Sequence, residues 1–319
     1  MTKARQGSPR ISVVVPVYNE EGNAGPLVRE IDTIVRELGE EYEILFVNDG
    51  SSDGTLGELI AALKDVARLR ILDLDGNFGE AAALTAGFQA ARGSVIVTLD
   101  GDGQNDPADI PLLWRVFRQG FAAVSGWRQK REEGFWLRVL PSRVANWMIA
   151  RVTRVPLHDN GCGLKIYRAE VAKRVQLPRG FNRFLPAILG VGADEVTEVP
   201  VRDRRRQHGA SHYGFNRTLI VLRDLLAMPF LLSKPTWFEP VWFTLALVAI
   251  VGTLALALQQ KWLPALVTTT FALLSYAVAW NLRRFNRAQR YGVFRVRREF
   301  SRLGEGSLFC GQRQCAGER

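Results

Sequence analysis

The sequence predicts an α/β chain. A mostly parallel sheet is covered by helices on both faces, and a two-helix hairpin long enough to cross a membrane follows it. Three observations carry this prediction. Short β-branched runs alternate with helical stretches through the first 127 residues. Polar, glycine-containing clusters stand where those strands end. Two uncharged runs of 21 residues, 240–260 and 262–282, are separated by Lys261 alone.

In chain order, strands are expected at 11–17, 43–47, 69–74, 95–99 and 121–125. Each is a short apolar run of the kind a sheet buried on both faces requires. Helices are expected between them at 27–38, 55–67, 79–91 and 108–119. The polar clusters are Tyr18-Asn19-Glu20, Asn48-Asp49-Gly50 and Asp100-Gly101-Asp102, after the first, second and fourth strands. Further on, 135–155 and 217–232 mix Trp, Leu and Met with arginine, as interfacial helices do. An amphipathic core helix has the same pattern.

Each uncharged run suffices to span a hydrocarbon core of about 30 Å as a helix. A soluble helix normally keeps a polar face, and these runs have none. Trp237, Trp242, Trp262 and Trp280 stand near their ends, where interfaces favour indole rings. Seven arginines follow between Arg283 and Arg298, which places that side in the cytoplasm by the positive-inside rule. A hairpin returns the chain to its starting side, and MTKARQGSPR has no apolar signal segment. The expectation is a multi-pass protein of the inner (plasma) membrane with both termini cytoplasmic. Its parts are a catalytic domain over 1–236 (interfacial helices included), the hairpin over 237–283 and a basic tail over 284–319.

The net charge of +10 is uneven. Residues 1–127 hold 11 Lys/Arg against 19 Asp/Glu, and residues 128–319 hold 31 against 13. An acidic ligand-binding half argues against nucleic acid, which needs a basic footprint on the reading domain. The basic half suits anionic lipid. Three cysteines exclude a disulfide scaffold. Cys310 and Cys315 read as free thiols, since a metal site there needs more ligands.

Two motifs carry chemistry. Asp100-Gly101-Asp102-Gly103-Gln104 delivers two carboxylates and an amide oxygen into a loose turn, a donor set for Mg²⁺ or Mn²⁺ with positions open to phosphate. An EF-hand is excluded, because Asn105 and Pro111 stand where that loop needs Gly and Glu. A polar turn with helix-capping acids is the plainer alternative. Val47-Asn48-Asp49-Gly50-Ser51-Ser52-Asp53-Gly54-Thr55 lets backbone approach a ligand, and Asp53 or Ser52 can cap the next helix. It is neither a dinucleotide fingerprint nor a P-loop.

Taken together, P-V-Y-N-E, N-D-G-S-S-D-G-T and D-G-D-G-Q, in this order at strand ends, resemble the family 2 glycosyltransferases of GT-A fold over residues 11 to about 225. His158-Asp159-Asn160-Gly161-Cys162-Gly163-Leu164-Lys165 resembles the acceptor loop of the dolichol-phosphate mannosyltransferase and undecaprenyl-phosphate sugar transferase branch. Arg206-x-x-Gly209-x-Ser211-x-Tyr213 resembles that branch's R-x-x-G-x-S-K-Y segment, with His212 where Lys is usual. Gly101 stands where Ala is common, a change expected to matter little.

The resemblance implies a nucleotide-diphosphate sugar donor, a membrane polyprenyl-phosphate acceptor and a Mg²⁺ or Mn²⁺ ion. It puts Pro16, Tyr18, Glu20 and Val47 at the nucleotide and Asp49 at the base or ribose edge. Asp100, Gly101, Asp102 and Gln104 fall at the diphosphate, with Asp100, Asp102 and Gln104 as metal ligands. Arg128 and Arg206 face phosphate, joined by Ser211 and His212. Asp159 matches an aspartate proposed as a base; orienting the sugar or acceptor loop is the other reading. In-line attack would invert the anomeric centre. Members of this branch are often homo-oligomers. A processive polysaccharide synthase would carry Q-x-x-R-W, which is missing. A non-catalytic nucleotide-sugar binding module stays as the non-enzymatic reading.

Overall fold

Aliphatic runs that are buried on both faces fix the centre of the sheet. Strand β1 (Ile11–Val17) lies parallel between β2 (Tyr42–Asn48) and β4 (Val95–Thr98), and all three are buried throughout. Strand β3 (Leu69–Leu74) extends the sheet beside β2. The connecting helices are α1 (Ala24–Arg36), α2 (Thr55–Ala62), α3 (Glu80–Ala90) and α4 (Ile110–Phe117). Helix α1 buries Leu27, Val28, Ile31 and Val35, the i, i+3/i+4 stripe that a covering helix needs. A 3₁₀ turn, Pro107–Asp109, leads into α4.

The computed structural model describes residues 9–129, 140–206, 216–233, 235–303 and 307–311. The nine-stranded sheet has the order β7-β5-β6-β4-β1-β2-β3-β8-β9. The remaining strands are β5 (Ala123–Arg128), β6 (Lys165–Arg168), β7 (Val196–Val201), β8 (Val296–Leu303) and β9 (Ser307–Gly311). Only β6 and β8 run against the rest, so the sheet is mixed but mostly parallel. Two one-turn helices, α6 (Ala169–Ala172) and α7 (Leu185–Ile188), follow β6. The chain leaves β1 toward β2 and β3 on one side and returns to β4 on the other. The crevice at the carboxyl ends of β1 and β4 is therefore the topological switch point, where open sheets bind ligands.

Several expectations shift here. The fifth strand starts later than 121 and runs to Arg128, so that arginine sits on the strand end. The expected helices over 55–67 and 108–119 are shorter, at Thr55–Ala62 and Ile110–Phe117. The expected tail is not a tail throughout. Helix α10 (Trp262–Tyr291) carries Arg283 to Arg290 and stops at Gly292, whose φ of 77° is a glycine helix end. Strand β8 then pairs antiparallel with the edge of β3. Arg70 fixes it there, bonded to Glu43 at 2.6 Å and Glu299 at 2.7 Å in a fully buried triad.

The chain divides into two units. The first draws on residues before 134, 155–211 and after 292, and contains the sheet. The second draws on 135–154 and 212–291. It holds α5 (Leu140–Thr153), α8 (Asn216–Leu231), α9 (Pro235–Leu258) and α10. The helices expected at 135–155 and 217–232 thus belong with the hairpin, not with the sheet. Trp136 and Arg138 lie outside the described residues. Helices α9 and α10 have mean hydropathies of 2.4 and 1.5 over their most apolar stretches. They expose Leu247, Val248, Leu254, Leu263, Leu266 and Leu273. Water does not tolerate so broad an apolar face, and this is the pattern of a membrane protein. Thr253 and Thr268 hydroxyls meet at 2.8 Å across the hairpin.

Candidate active site

Two loops close the crevice at the carboxyl ends of β1 and β2. After β1, Asn19 takes a left-handed conformation (φ 53°) that an asparagine tolerates. Its Oδ1 accepts the Ser52 N–H at 2.9 Å, and its own N–H donates to Ser51 Oγ at 3.0 Å. The Glu20 N–H donates to Thr55 Oγ1 at 2.8 Å. Asp53 accepts the N–H groups of Glu21 and Thr55, one residue ahead of the Gly54 cap rather than as the cap itself. Tyr18 is left exposed at the crevice mouth and Pro16 is buried in the strand.

Val47 and Asp49 are both engaged within the fold. The Val47 side chain is wholly buried against Gly87 of α3, so only its backbone faces the crevice end of the sheet. Both Asp49 oxygens are engaged: Oδ1 accepts the Phe78 N–H at 2.7 Å and Oδ2 the Gly79 N–H at 2.8 Å. Burial still pushes its carboxyl above the usual range, against those bonds and the Arg179 charge. Asp49 holds the 76–79 loop through both carboxylate oxygens. Gly50 (φ 70°) is required beneath that loop, because a Cβ would lie 2.5 Å from the Gly76 carbonyl carbon.

After β4, the Asp100 N–H donates to Asn105 Oδ1 at 3.0 Å, and the Gln104 N–H to Asp102 Oδ1 at 3.0 Å. The loop thus folds on its own side chains. Gly101 matters more than expected: a Cβ there would stand 2.5 Å from Val17 Cγ1 and 2.7 Å from the Pro16 carbonyl oxygen. Gly163 is tighter, since its Cβ would fall 2.2 Å from the Asp100 carboxyl. Burial, with the Glu80 and Asp102 charges, holds Asp100 well above the usual carboxylate range. Arg128 and Lys165 oppose that shift. Lys165 is buried, donates to the Asn160 carbonyl at 2.9 Å, and loses proton affinity to desolvation.

An arginine strap crosses this loop. Asn105 and Asp203 form an isolated bridge, and the Arg204 N–H donates to the Gln104 carbonyl at 2.8 Å. Alternate residues then face the acids. Arg202 pairs with Asp109 at 3.0 Å, and Arg204 with Glu30 at 2.8 Å and Asp106. Arg206 pairs with Glu20 and lies 3.9 Å from Asp102. Burial raises the Glu20 carboxyl, while Asn23 and Arg206 counter it and Asp102 adds to it. Arg206 is therefore a cation set between two carboxylates at the crevice.

Opposite it, Arg128 grips Asp159 with two bonds, Nε to Oδ2 at 2.8 Å and Nη2 to Oδ1 at 3.1 Å. Asp203 stands 3.9 Å from Nη1. Both partners are largely buried, and the carboxylates hold the guanidinium protonated above its ordinary range. A carboxylate bound in this fork is a poor proton acceptor and a good positioning group. One residue back along each chain segment, Trp127 stacks on His158 with centroids 4.6 Å apart.

The structure brings together Glu20, Asp100, Asp102, Arg128, Asp159 and Arg206. Ser211 and His212 lie outside the described residues. Sequence reasoning gave no role of its own to Lys165 and missed Asp203, Arg202 and Arg204. Arginine fills four of the five positions of 202–206, which marks a basic run but no period. Among the described residues no three His, Cys, Asp or Glu side chains form a complete metal cage. The donor set nevertheless fits a hard divalent ion. Two adjacent carboxylates repel one another, and Mg²⁺-type ions are commonly held by one or two carboxylates plus substrate phosphate.

The comparisons agree with this geometry. Residues 12–176 match the model of glycosyl transferase family 2. The chain is 44% identical over 230 residues to a dodecaprenyl-phosphate galacturonate synthase of Rhizobium johnstonii, covering 70% of this chain and 67% of that one. It is 38% identical over 218 residues to an undecaprenyl-phosphate 4-deoxy-4-formamido-L-arabinose transferase of Pseudomonas aeruginosa, covering 68% and 64%. The matched stretch thus spans about two thirds of the length of these relatives. Among solved structures, glucosyl-3-phosphoglycerate synthase from Mycobacterium tuberculosis with phosphoglyceric acid aligns at a TM-score of 0.55. The identity is 20%, over 70% of this chain and 80% of that one. The same enzyme with Mn²⁺, uridine-diphosphate-glucose and phosphoglyceric acid gives 0.55 and 20%, with the same coverage. With its α/β sheet, its acidic loop at the switch point and these matches, the chain belongs to glycosyl transferase family 2.

Proposed function

We propose that this glycosyltransferase moves a sugar from a nucleotide-diphosphate sugar to a membrane polyprenyl phosphate, giving a lipid-phosphate-linked monosaccharide. The observation that carries the reading is the acidic loop at the switch point, clamped by Arg206 and faced by Arg128, in a chain that also has two bilayer-length helices. The named relatives act on polyprenyl phosphates, which supports the same acceptor class here.

The mechanism follows from charge. The leaving group is a diphosphate, and negative charge grows on it in the transition state. Arg206 and Arg128 stabilise that charge because they are fixed in place beforehand. Asp102, with Asp100 and Gln104, would hold a Mg²⁺ or Mn²⁺ ion that supplies Lewis-acid stabilisation of the same oxygens. A phosphate monoester has a second pKa near 6, so the acceptor is already an anionic nucleophile at neutral pH. No strong base is needed, and Asp159 orients Arg128 and the acceptor loop instead. The residues' task is to bring an anion in line with the anomeric carbon. Such attack inverts the centre.

The hairpin and the arginines after it support an inner-membrane protein with its site in the cytoplasm. Helices α5 and α8 would lie at the interface, at the depth of the lipid phosphate. A homo-oligomer is the expected state.

The test is a donor screen on detergent-purified protein with undecaprenyl phosphate and Mn²⁺ or Mg²⁺. A panel of UDP- and GDP-sugars, uronates included, is offered and lipid products are read by mass spectrometry. One lipid-linked monosaccharide, lost with EDTA, is the expected result. Polymer, or nucleotide-sugar hydrolysis with no lipid product, would overturn the reading.

A further inference from the structure

We infer that Arg298, on the strand that follows the hairpin, is a positioning residue for the nucleotide end of the site. The inference rests on the functional reading above and adds to it a residue far from every motif. At the carboxyl end of β3 stands Asp73, buried and in register with Asn48 of β2 and with Arg298 of β8. Its Oδ2 accepts from Arg298 Nη2 at 3.2 Å, and its Oδ1 accepts from Asn48 Nδ2 at 2.9 Å. Asn48 Oδ1 in turn accepts the Ser51 N–H at 3.2 Å, and Ser51 Oγ accepts the Asn19 N–H at 3.0 Å. A line of hydrogen bonds thus runs from β8 to the loop that presents Tyr18 and Glu20.

The same segment grips the neighbouring loop. The Asp75 N–H donates to the Arg295 carbonyl at 2.9 Å, and Arg297 Nε to Asp75 Oδ1 at 3.1 Å. Residues 76–79 follow, seated on Gly50 and on the Asp49 carboxylate. Both walls of the nucleotide end therefore lean on residues 295–298.

The chemistry gives Arg298 a specific part. A buried carboxylate must be matched by a cation or take a proton. Arg298 bonds Asp73 Oδ2, and Asp73 Oδ1 fixes the Asn48 amide with its NH₂ toward Asp73 and its oxygen toward Ser51. Without that cation, Asp73 is a buried carboxylate that has lost its charge partner, and its hold on Asn48 weakens. The Asn48 amide then loses its fixed orientation, and Ser51 its acceptor. Donor binding suffers through this line, and the acceptor KM is expected to stay unchanged.

The experiment measures UDP and GDP binding by calorimetry with Mn²⁺, on the full-length protein in detergent, beside melting temperature and the KM for undecaprenyl phosphate. Arg298→Ala is expected to weaken nucleotide binding about tenfold, the size of one lost charged hydrogen bond, with acceptor KM unchanged. Arg298→Lys should recover most of the affinity. Asp73→Asn placed in the Arg298→Ala background should also recover affinity, since it removes the unmatched charge and keeps an acceptor for Asn48. Arg302→Ala is the control: it lies on the same strand, exposed, bonded to the Lys64 carbonyl, and should change nothing. If Arg298→Ala does not fold, the Lys variant and Arg298→Gln, a donor without charge, carry the comparison. Nucleotide affinity equal to wild type in the Ala or Gln variant, or a loss that follows melting temperature across all variants, would overturn the inference alone. A wild-type protein that binds neither nucleotide would sink the functional reading with it.

Discussion

Asp159 shows how one side chain's surroundings decide between two roles. The sequence leaves it open as a base or an orienting group. Its fork to Arg128 favours orientation, because both carboxylate oxygens are already bonded to the guanidinium. Asp159→Ala leaves a largely buried guanidinium without this partner and should cost about 3–5 kcal/mol of stability in denaturant melts. Asp159→Asn should keep measurable transfer with an unshifted pH–rate profile; loss of the whole profile would restore the base role. Gly163→Ala should depress activity about a hundredfold with little change in the far-UV spectrum. Its Cβ displaces the Asp100 carboxyl, and misplacement by about 1 Å is enough for that loss. Cys162 gives a pH prediction. Burial pushes its thiol up to about 12, so the folded state holds that proton more tightly than the unfolded chain. Its contribution to stability is full below the ordinary thiol range and fades as pH rises through about 12. Cys162 should therefore resist iodoacetamide at pH 8 in the folded protein and react once urea exposes it.

Among the elements, the strands and helices of the first 127 residues were legible because each is a short apolar run with its own turn chemistry. The site loops were legible for the same reason: Asp100-Gly101-Asp102 must emerge wherever 95–99 forms a strand. The 202–206 strap and β8 were not, since both are held by partners far away in sequence. Strand β8 is charged at Arg297, Arg298, Glu299 and Arg302, which reads as a solvated basic tail. It becomes a strand because Glu299 completes the Arg70–Glu43 triad and Arg298 answers Asp73. Arg70→Met should therefore cost about 3–5 kcal/mol in chemical denaturation, because it leaves Glu43 and Glu299 facing each other without a cation. If stability is unchanged, the triad does not anchor β8.

For the whole molecule, the two apolar helices make a direct prediction. The protein should stay in the pellet when membranes are washed with alkaline carbonate. Leu254→Arg, at an exposed position of α9, should lower insertion by about 2.5–3.5 kcal/mol, read as a larger carbonate-soluble fraction. The uneven charge also takes on a meaning beyond lipid attraction. Arg202, Arg204, Arg206, Arg297 and Arg298 pair with Asp109, Glu30, Glu20, Asp75 and Asp73, all in the acidic first part of the chain. Part of the basic second part is thus the counter-charge of the first. By itself the sequence determined the elements, the hairpin and the loops that carry the carboxylates, because hydrophobic period, turn residues and run length act over neighbours in the chain. Only the tertiary structure decided which arginine meets which acid, why Gly101 and Gly163 have no room for a methyl group, and that the residues after the hairpin rejoin the sheet. Those outcomes depend on strand order and on contacts across some 90 to 230 residues, and no local pattern encodes them.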